Sequence, residues 1–429
     1  MKFAIEKVVL EATYPRTYAT STQSNTDRLS IAVNRYKPTW TAAEYPEKDS
    51  RPEITIVAAH ANGFPKELYE PLFEDLVAWL ASKRVVVREL VISDVVNQGE
   101  SGVLNEAKLG NRVCWLDYGR DIVFMIQSLQ LEGPLIGLGH SLGGSLLLYI
   151  ESVLQPGLFA GLICIEPIVD AKEYDADPNR DIMATVSSMR RDLWPSVDEA
   201  RKHFLRNKFY QAWDIRVFDR WIKHGLRRLP TRVYPTIPAS LQLINGENPL
   251  TLTTTKYQEV FTFTGPSEDW TKLGISWTDK PAIEAALDTG AKGDGPMPVI
   301  NQYHSYIYNQ LENLTKAGKD RDVLLVYGKL SNVYPQLSRQ LGKLPHARWA
   351  VLQETGHLAP LEQPGETAAL AGEFIIAELD RYARTVAVAD SESRAVDRIT
   401  PAHETMFSHV RQLLERNRTT QPPGRKSKL

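Results

Sequence analysis

The sequence predicts an α/β fold: a mostly parallel sheet whose strands alternate with helices, interrupted once by a largely helical cap insertion. Three observations predict it. Apolar runs of strand length alternate with helix-period segments from residue 1 to about 170. That alternation breaks at about residue 171 and returns at about 315. A glycine-flanked turn, Gly139-His140-Ser141-Leu142-Gly143, joins a buried run to a helix pattern in the middle of the first part.

Lys2 to Glu11 alternates apolar and polar residues, as a half-exposed strand does, and Leu29 to Tyr36 is a second strand. Glu53 to His60 is almost continuously apolar, which suits a central strand covered on both faces. Leu68, Leu72, Leu76 and Leu80, with Phe73 and Val77, line one face of a helix. Val85 to Ile92 is the next strand, and a helix runs through Trp115, Tyr118, Ile122, Ile126 and Leu129. Leu135 to Leu138 is a short buried strand, Ser145 to Val153 a helix, and Leu158 to Ile165 leads into another strand. Residues 171–314 are strand-poor, then loop-rich, and carry many charged and aromatic side chains. Val323 to Tyr327, Ala347 to Gln353 and a helix from about Pro364 to Ala383 restore the alternation. The organisation expected is a core at 1–170 and 315–386, a cap at 171–314, and a tail at 387–429. In the tail, Thr400 caps a helix from Pro401 to about Arg416.

The 429 residues carry a net charge of −2, with 43% hydrophobic and 24% charged residues. These are the values of an ordinary globular protein, and they argue against a general nucleic-acid or membrane-surface binder. Cys114 and Cys164 sit in apolar stretches with no CxxC pair, as buried thiols in a reducing compartment would. The N-terminus, with Glu6 and Glu11, does not read as a secretory signal, and no apolar run is long enough to span a bilayer. The C-terminus ends Ser427-Lys428-Leu429 after a basic, polar stretch. That tripeptide is a peroxisomal address, so the expected partner is the peroxisomal import receptor. No metal-ligand cluster or cofactor motif stands out.

The turn around Ser141 fits G-x-S-x-G, in which a serine sits on a strained strand-to-helix turn. A phosphate-cradling loop is the competing reading. It would need glycine at 142, where Leu142 stands. A nucleophile so placed needs an oxyanion hole. The backbone N–H of Leu142 is one expected donor, and the N–H of Asn62 is the other, in the loop His60-Ala61-Asn62-Gly63 that follows a central strand. The expected base is His357, just past the last strand in a loop bounded by Gly356 and Pro360. His60 reads as a loop-orienting residue, and His203, His224, His403 and His409 as solvated.

The acid is harder to place. Its usual position follows the strand VLLVYG, but Gly328-Lys329-Leu330-Ser331 offers only Ser331 there. Glu166 ends the apolar run Leu162 to Ile165, and a carboxylate there needs a partner. Glu166 is the preferred acid, Asp170 the alternative, and a salt bridge to the cap the plain structural reading of Glu166.

With these residues in place, the HANGF loop, the GHSLGG elbow and the GHLAPLEQP loop resemble the α/β-hydrolases over about residues 1 to 385. The displaced acid is similar to that of haloalkane dehalogenases, but Ser141 in place of their nucleophilic Asp points to acyl chemistry. HANGFPKE, Asp94 to Ser101, RRDLWPSVDEAR and the SKL end resemble fungal peroxisomal hydrolases. These include the host-selective toxin biosynthesis hydrolases of Alternaria and the yeast peroxisomal lipase. The resemblance implies a peroxisomal serine hydrolase that cleaves an ester or thioester of a small acyl substrate. It also implies a role in fatty-acyl or polyketide-derived metabolism. Trp213, Phe218 and Trp221 are the cap aromatics expected over the acyl pocket, although for any single one the plainer reading is that it packs the cap on the core. Acyl transfer by the same triad, and ligand binding without turnover, stay open.

Overall fold

The computed structural model describes residues 2–39, 51–171, 182–241, 246–265, 299–300, 303–393 and 404–412. The chain forms two compact units, Met1–Leu379 and Asp380–Leu429. In the first unit, β1 (Lys2–Glu11), β2 (Ser30–Thr39) and β3 (Ile54–Ala59) precede α1 (Glu70–Ser82) and β4 (Val87–Ser93). Then come α2 (Gly99–Asn105), α3 (Trp115–Ser128), β5 (Leu135–His140), α4 (Leu142–Tyr149) and β6 (Gly161–Ile165). The inserted region holds α5 (Ile182–Met189), β7 (Leu193–Trp194), α6 (Val197–Leu205), α7 (Lys208–Gln211) and α8 (Ile215–His224). It continues through β8 (Leu226–Arg228), β9 (Leu250–Leu252), α9 (Lys256–Phe263), β10 (Thr264–Gly265), β11 (Val299–Ile300) and α10 (Tyr303–Gln310). The chain returns through α11 (Glu312–Lys316), β12 (Val323–Gly328), α12 (Gln336–Lys343), β13 (Arg348–Leu352), α13 (Ala359–Glu362) and α14 (Pro364–Ser393).

Eight strands form one sheet in the order β1-β2-β4-β3-β5-β6-β12-β13. β1 and β2 are antiparallel, as are β2 and β4; the rest are parallel. Alternating residues of each strand face opposite sides. Ile56, Ala58, Ile136, Leu138, Ile163 and Val326 pack with α1 and the first turns of α14. Val57, Ala59, Leu135, Leu162, Cys164 and Leu325 pack with α3 and α4. β4 lies on one side of β3 and β5 on the other, so the order reverses there. In open parallel sheets, ligands bind beyond the C-terminal strand ends at such a reversal. Register keeps those ends level: Ala59 pairs with Gly139, His140 with Ile165, Ile165 with Val326, and Gly328 with Leu352.

Two details differ from the sequence reading for tertiary reasons. α2 forms between the strand ending at Ile92 and the Trp115 helix, where the sequence shows no helix pattern: GESGVLN has two glycines and little propensity. Its first turn forms because the Asp94 carboxylate accepts the Glu100 N–H at 2.9 Å and fully buried Lys66 neutralises it. The inserted region also carries a three-stranded sheet, β7-β9-β8, too short to show in a hydrophobic pattern.

The insertion docks on the core through aromatic rings. Phe64, from the loop after β3, meets Trp213 and Trp221 edge-on, at 5.7 and 6.3 Å between centroids. Trp213 and Trp221 also pack on Tyr210, and Trp221 on Phe204. Trp213, Phe218 and Trp221 are all buried. Arg216 of α8 adds a bidentate pair to Asp75 of α1, at 2.7 and 2.8 Å.

The described part of the second unit comprises the last turns of α14 and a helix at residues 404–412, on which Met406, Phe407 and Val410 are exposed. Residues 401–403 and 413–416 of the expected tail helix, and the tripeptide Ser427-Lys428-Leu429, lie outside the described residues.

Candidate active site

Ser141 sits between β5 and α4 with φ 52° and ψ −115°, a conformation that costs a non-glycine residue of order 1–3 kcal/mol. Its N–H donates to the Ile165 carbonyl at 2.8 Å and ties the turn to β6. The flanking glycines are sterically required. A Cβ on Gly143 would stand 2.1 Å from the Ala59 carbonyl oxygen, and one on Gly139 would meet the Gly143 backbone at 2.6 Å.

The structure brings Ser141, His357 and Glu166 into one hydrogen-bonded chain. His357 Nε2 lies 2.9 Å from Ser141 Oγ, and His357 Nδ1 lies 3.1 Å from Glu166 Oε2. A carboxylate at Nδ1 places the proton there and leaves Nε2 as the acceptor facing the hydroxyl. Glu166 also has a positive φ of 52° and is fully buried. Its charge is met by the Gly328 N–H, by the Ser331 hydroxyl at 2.6 Å and by His357. Ser331 thus stands at the expected acid position and donates to the carboxylate that arrives from β6. The alternative acid, Asp170, is paired with Arg339 in a two-pronged contact and does not reach His357.

The loop after β3 is held from several sides. The Gly63 N–H donates to Gln98 Oε1 at 2.7 Å, and Gln98 Nε2 donates to Asn62 Oδ1 and, at 3.0 Å, to Thr262 Oγ1 of α9. Asn62 Nδ2 donates to the Glu259 carbonyl at 3.1 Å. Glu259 leans against Gly63, where a Cβ would come within 2.8 Å of it, and is paired with Arg190 and Ser187. Among the described residues, the Asn62 and Leu142 N–H groups donate to no protein acceptor. Leu142 opens α4, where a helix leaves its N–H groups without internal partners.

The two histidines beside these loops, His60 and His140, are not solvated. His60 is buried, its Nε2 accepting the Val95 N–H at 3.0 Å, and burial holds its pKa below the usual histidine range. His140 is buried beside His357 and is pushed down to about 3, chiefly by burial and then by the charge of His357. His203 packs on Trp194, and partly buried His224 lies near Glu67; His403 is outside the described residues, and His409 is exposed. Cys114 and Cys164 are free and buried. Gln98 and Ser331 are the supporting residues that sequence reasoning missed. A lone glutamine in a loop has no motif, and Ser331 was read only as a missing acid. Among the described residues no helix is long and apolar enough to cross a membrane.

The model of the alpha/beta hydrolase family matches residues 56–370. Over 268 residues the chain is 34% identical to a type I acyl-CoA thioesterase, mpaH, of Penicillium brevicompactum, with 60% of each chain covered. The match thus spans about 60% of that relative's length. The chain is 33% identical over 174 residues to the peroxisomal membrane protein LPX1 of Saccharomyces cerevisiae, covering 39% of this chain and 43% of that one. It is 24% identical over 255 residues to the abhydrolase domain-containing protein AFT2-1 of Alternaria alternata, covering 57% and 84%. The crystal structure of the peroxisomal alpha-beta-hydrolase Lpx1 of Saccharomyces cerevisiae shares the fold. Its TM-score is 0.62 at 18% identity, with 92% of this chain and 99% of that chain covered.

Proposed function

The chain belongs to the alpha/beta hydrolase family, and we propose that within it the protein is a serine hydrolase that cleaves acyl thioesters or esters. The observation that carries this reading is the hydrogen-bonded chain from Ser141 through His357 to Glu166 on a strained turn. Ser141 Oγ attacks the acyl carbonyl as its proton passes to His357 Nε2. The Asn62 and Leu142 N–H groups receive the oxyanion. Glu166 holds the His357 tautomer and offsets its charge. The imidazolium then protonates the leaving thiolate or alkoxide, and the acyl group remains on Ser141. A water molecule then attacks the acyl-enzyme as its proton passes to His357 Nε2; the bond from the acyl carbon to Ser141 Oγ breaks, the imidazolium returns the proton to Oγ, and the carboxylic acid leaves. No step needs a metal or an organic cofactor.

The similarity to an acyl-CoA thioesterase favours a thioester of coenzyme A over a simple ester. A place in secondary metabolism is part of the same proposal, and rests on the sequence resemblance to the toxin biosynthesis hydrolases of Alternaria. Residues 171–314 serve in this reading as the cap over the acyl group, between core segments 1–170 and 315–386. The tail, 387–429, carries the peroxisomal address Ser427-Lys428-Leu429 for the import receptor; the likeness to LPX1 supports that location. Ser331, which takes the usual place of the acid, hydrogen-bonds to Glu166, and this favours turnover over ligand binding alone. Fluorophosphonate labelling tests the reading. The wild type is expected to label and Ser141→Ala not to, and the wild type is expected to release free thiol from an acyl-CoA. An unlabelled wild type rejects the hydrolase.

A further inference from the structure

Three loops meet at the site: the one after β3 with Asn62, the turn after β5 with Ser141, and the one after β13 with His357. One buried chain of hydrogen bonds joins all three. The Ala61 N–H donates to Tyr69 Oη at 2.8 Å, Tyr69 Oη lies 2.8 Å from His140 Nδ1, and His140 Nε2 lies 2.8 Å from the His357 carbonyl oxygen. Tyr69 is 2% exposed and His140 1%.

The chain admits one arrangement of protons. A carbonyl oxygen only accepts, so His140 Nε2 must carry its proton. A neutral ring then has Nδ1 as acceptor, so the Tyr69 hydroxyl must donate to it. The lone pairs left on Tyr69 Oη accept from Ala61. Every polar atom is satisfied, so the chain runs in one direction, from the residue before Asn62 to the backbone of His357.

We infer that Tyr69 and His140 are a positioning pair that braces the oxyanion loop and the base loop against each other through the residue preceding the nucleophile. The inference rests on the hydrolase reading of the same site. Three consequences follow from the geometry. His140 is next to Ser141, so a shift of either loop is felt at the turn that carries the hydroxyl. Replacing His140 by an apolar residue orphans a buried hydroxyl and a buried carbonyl together. The ring must also stay neutral, because the His357 ring, 5.6 Å away, becomes cationic in each half-reaction. Burial keeps it so.

The experiment compares fluorophosphonate labelling rates, with kcat and KM on p-nitrophenyl acetate, for wild type, Y69F, H140L, H140Q and Y69F/H140L. Y69F and H140L are expected to label roughly ten- to a hundredfold more slowly, with kcat lowered and KM little changed. H140Q keeps a donor toward the His357 carbonyl and is expected to stay within about fivefold of wild type. The double variant is expected to be no slower than H140L, because the pair acts as one unit. Wild-type rates in Y69F and H140L, or slowdowns that multiply, overturn the brace while leaving the hydrolase intact; an unlabelled wild type overturns both. Nitrogen-15 NMR of the wild-type histidines needs no variant to fold. It is expected to show His140 protonated on Nε2 alone from pH 5 to 8, and a proton on Nδ1 overturns the chain outright.

Discussion

Glu166 makes a clear demand at the scale of one residue. A fully buried carboxylate is tolerable only if its lone pairs are filled, and Gly328, Ser331 and His357 fill them. Removing the charge while keeping the shape therefore isolates its work on His357. Glu166→Gln is expected to lower kcat by ~10³–10⁴ with KM little altered. Asp170→Asn is expected to leave kcat within about threefold and to cost ~1–2 kcal/mol in urea denaturation, because Asp170 serves Arg339 instead. Equal losses of activity in the two variants would remove Glu166 from the acid's role.

His60 and His140 have a second consequence at the same scale. Both are held neutral below the usual histidine range, His140 down to about 3. The unfolded chain protonates each below about pH 6.5, while the native state does not. Between those values the unfolded state binds more protons, so native stability falls as the pH falls. The slope approaches ~1.4 kcal/mol per pH unit for each such histidine. Urea denaturation at pH 7, 6 and 5 is expected to show this loss, with a shallower slope in H140Q. A flat profile contradicts buried neutral rings.

At the scale of elements, the loop after β3 depends on neighbours far away in sequence. Gln98, at the start of α2, accepts from Gly63 and donates to Asn62 and to Thr262 of α9. It thus couples the loop after β3 both to the core and to the inserted region. Gln98→Leu leaves two polar groups of the loop unpaired and frees Asn62 to turn. The expected result is a kcat lowered by roughly 10²-fold on an acyl-CoA, with a much smaller change in KM. A fall confined to KM would show that Gln98 affects substrate binding rather than the oxyanion. The aromatic cluster around Phe64 works alongside it, since the same loop that carries Asn62 anchors Trp213 and Trp221 of the insertion.

At the scale of the whole molecule, one sheet collects every part of the site at the C-terminal ends of its strands. The location proposal is tested here too: a fluorescent fusion is expected to be punctate and to become diffuse when Ser427 to Leu429 are deleted. Puncta that persist would assign the address to another segment. The sequence by itself determined the sheet strands, the turn around Ser141 and the loops of Asn62 and His357. Each of these depends on local chemistry: an apolar run, a glycine that a Cβ would destroy, a polar residue in a short loop. Only the tertiary structure shows which carboxylate reaches His357, Glu166, and which meets Arg339, Asp170, since that depends on the register of the strands. It also decided the parts played by Ser331, Gln98, Tyr69 and His140. Those are hydrogen bonds between residues 8 to 217 positions apart, and no periodicity or spacing encodes them. Burial makes such contacts obligatory, and burial is a property of the folded chain.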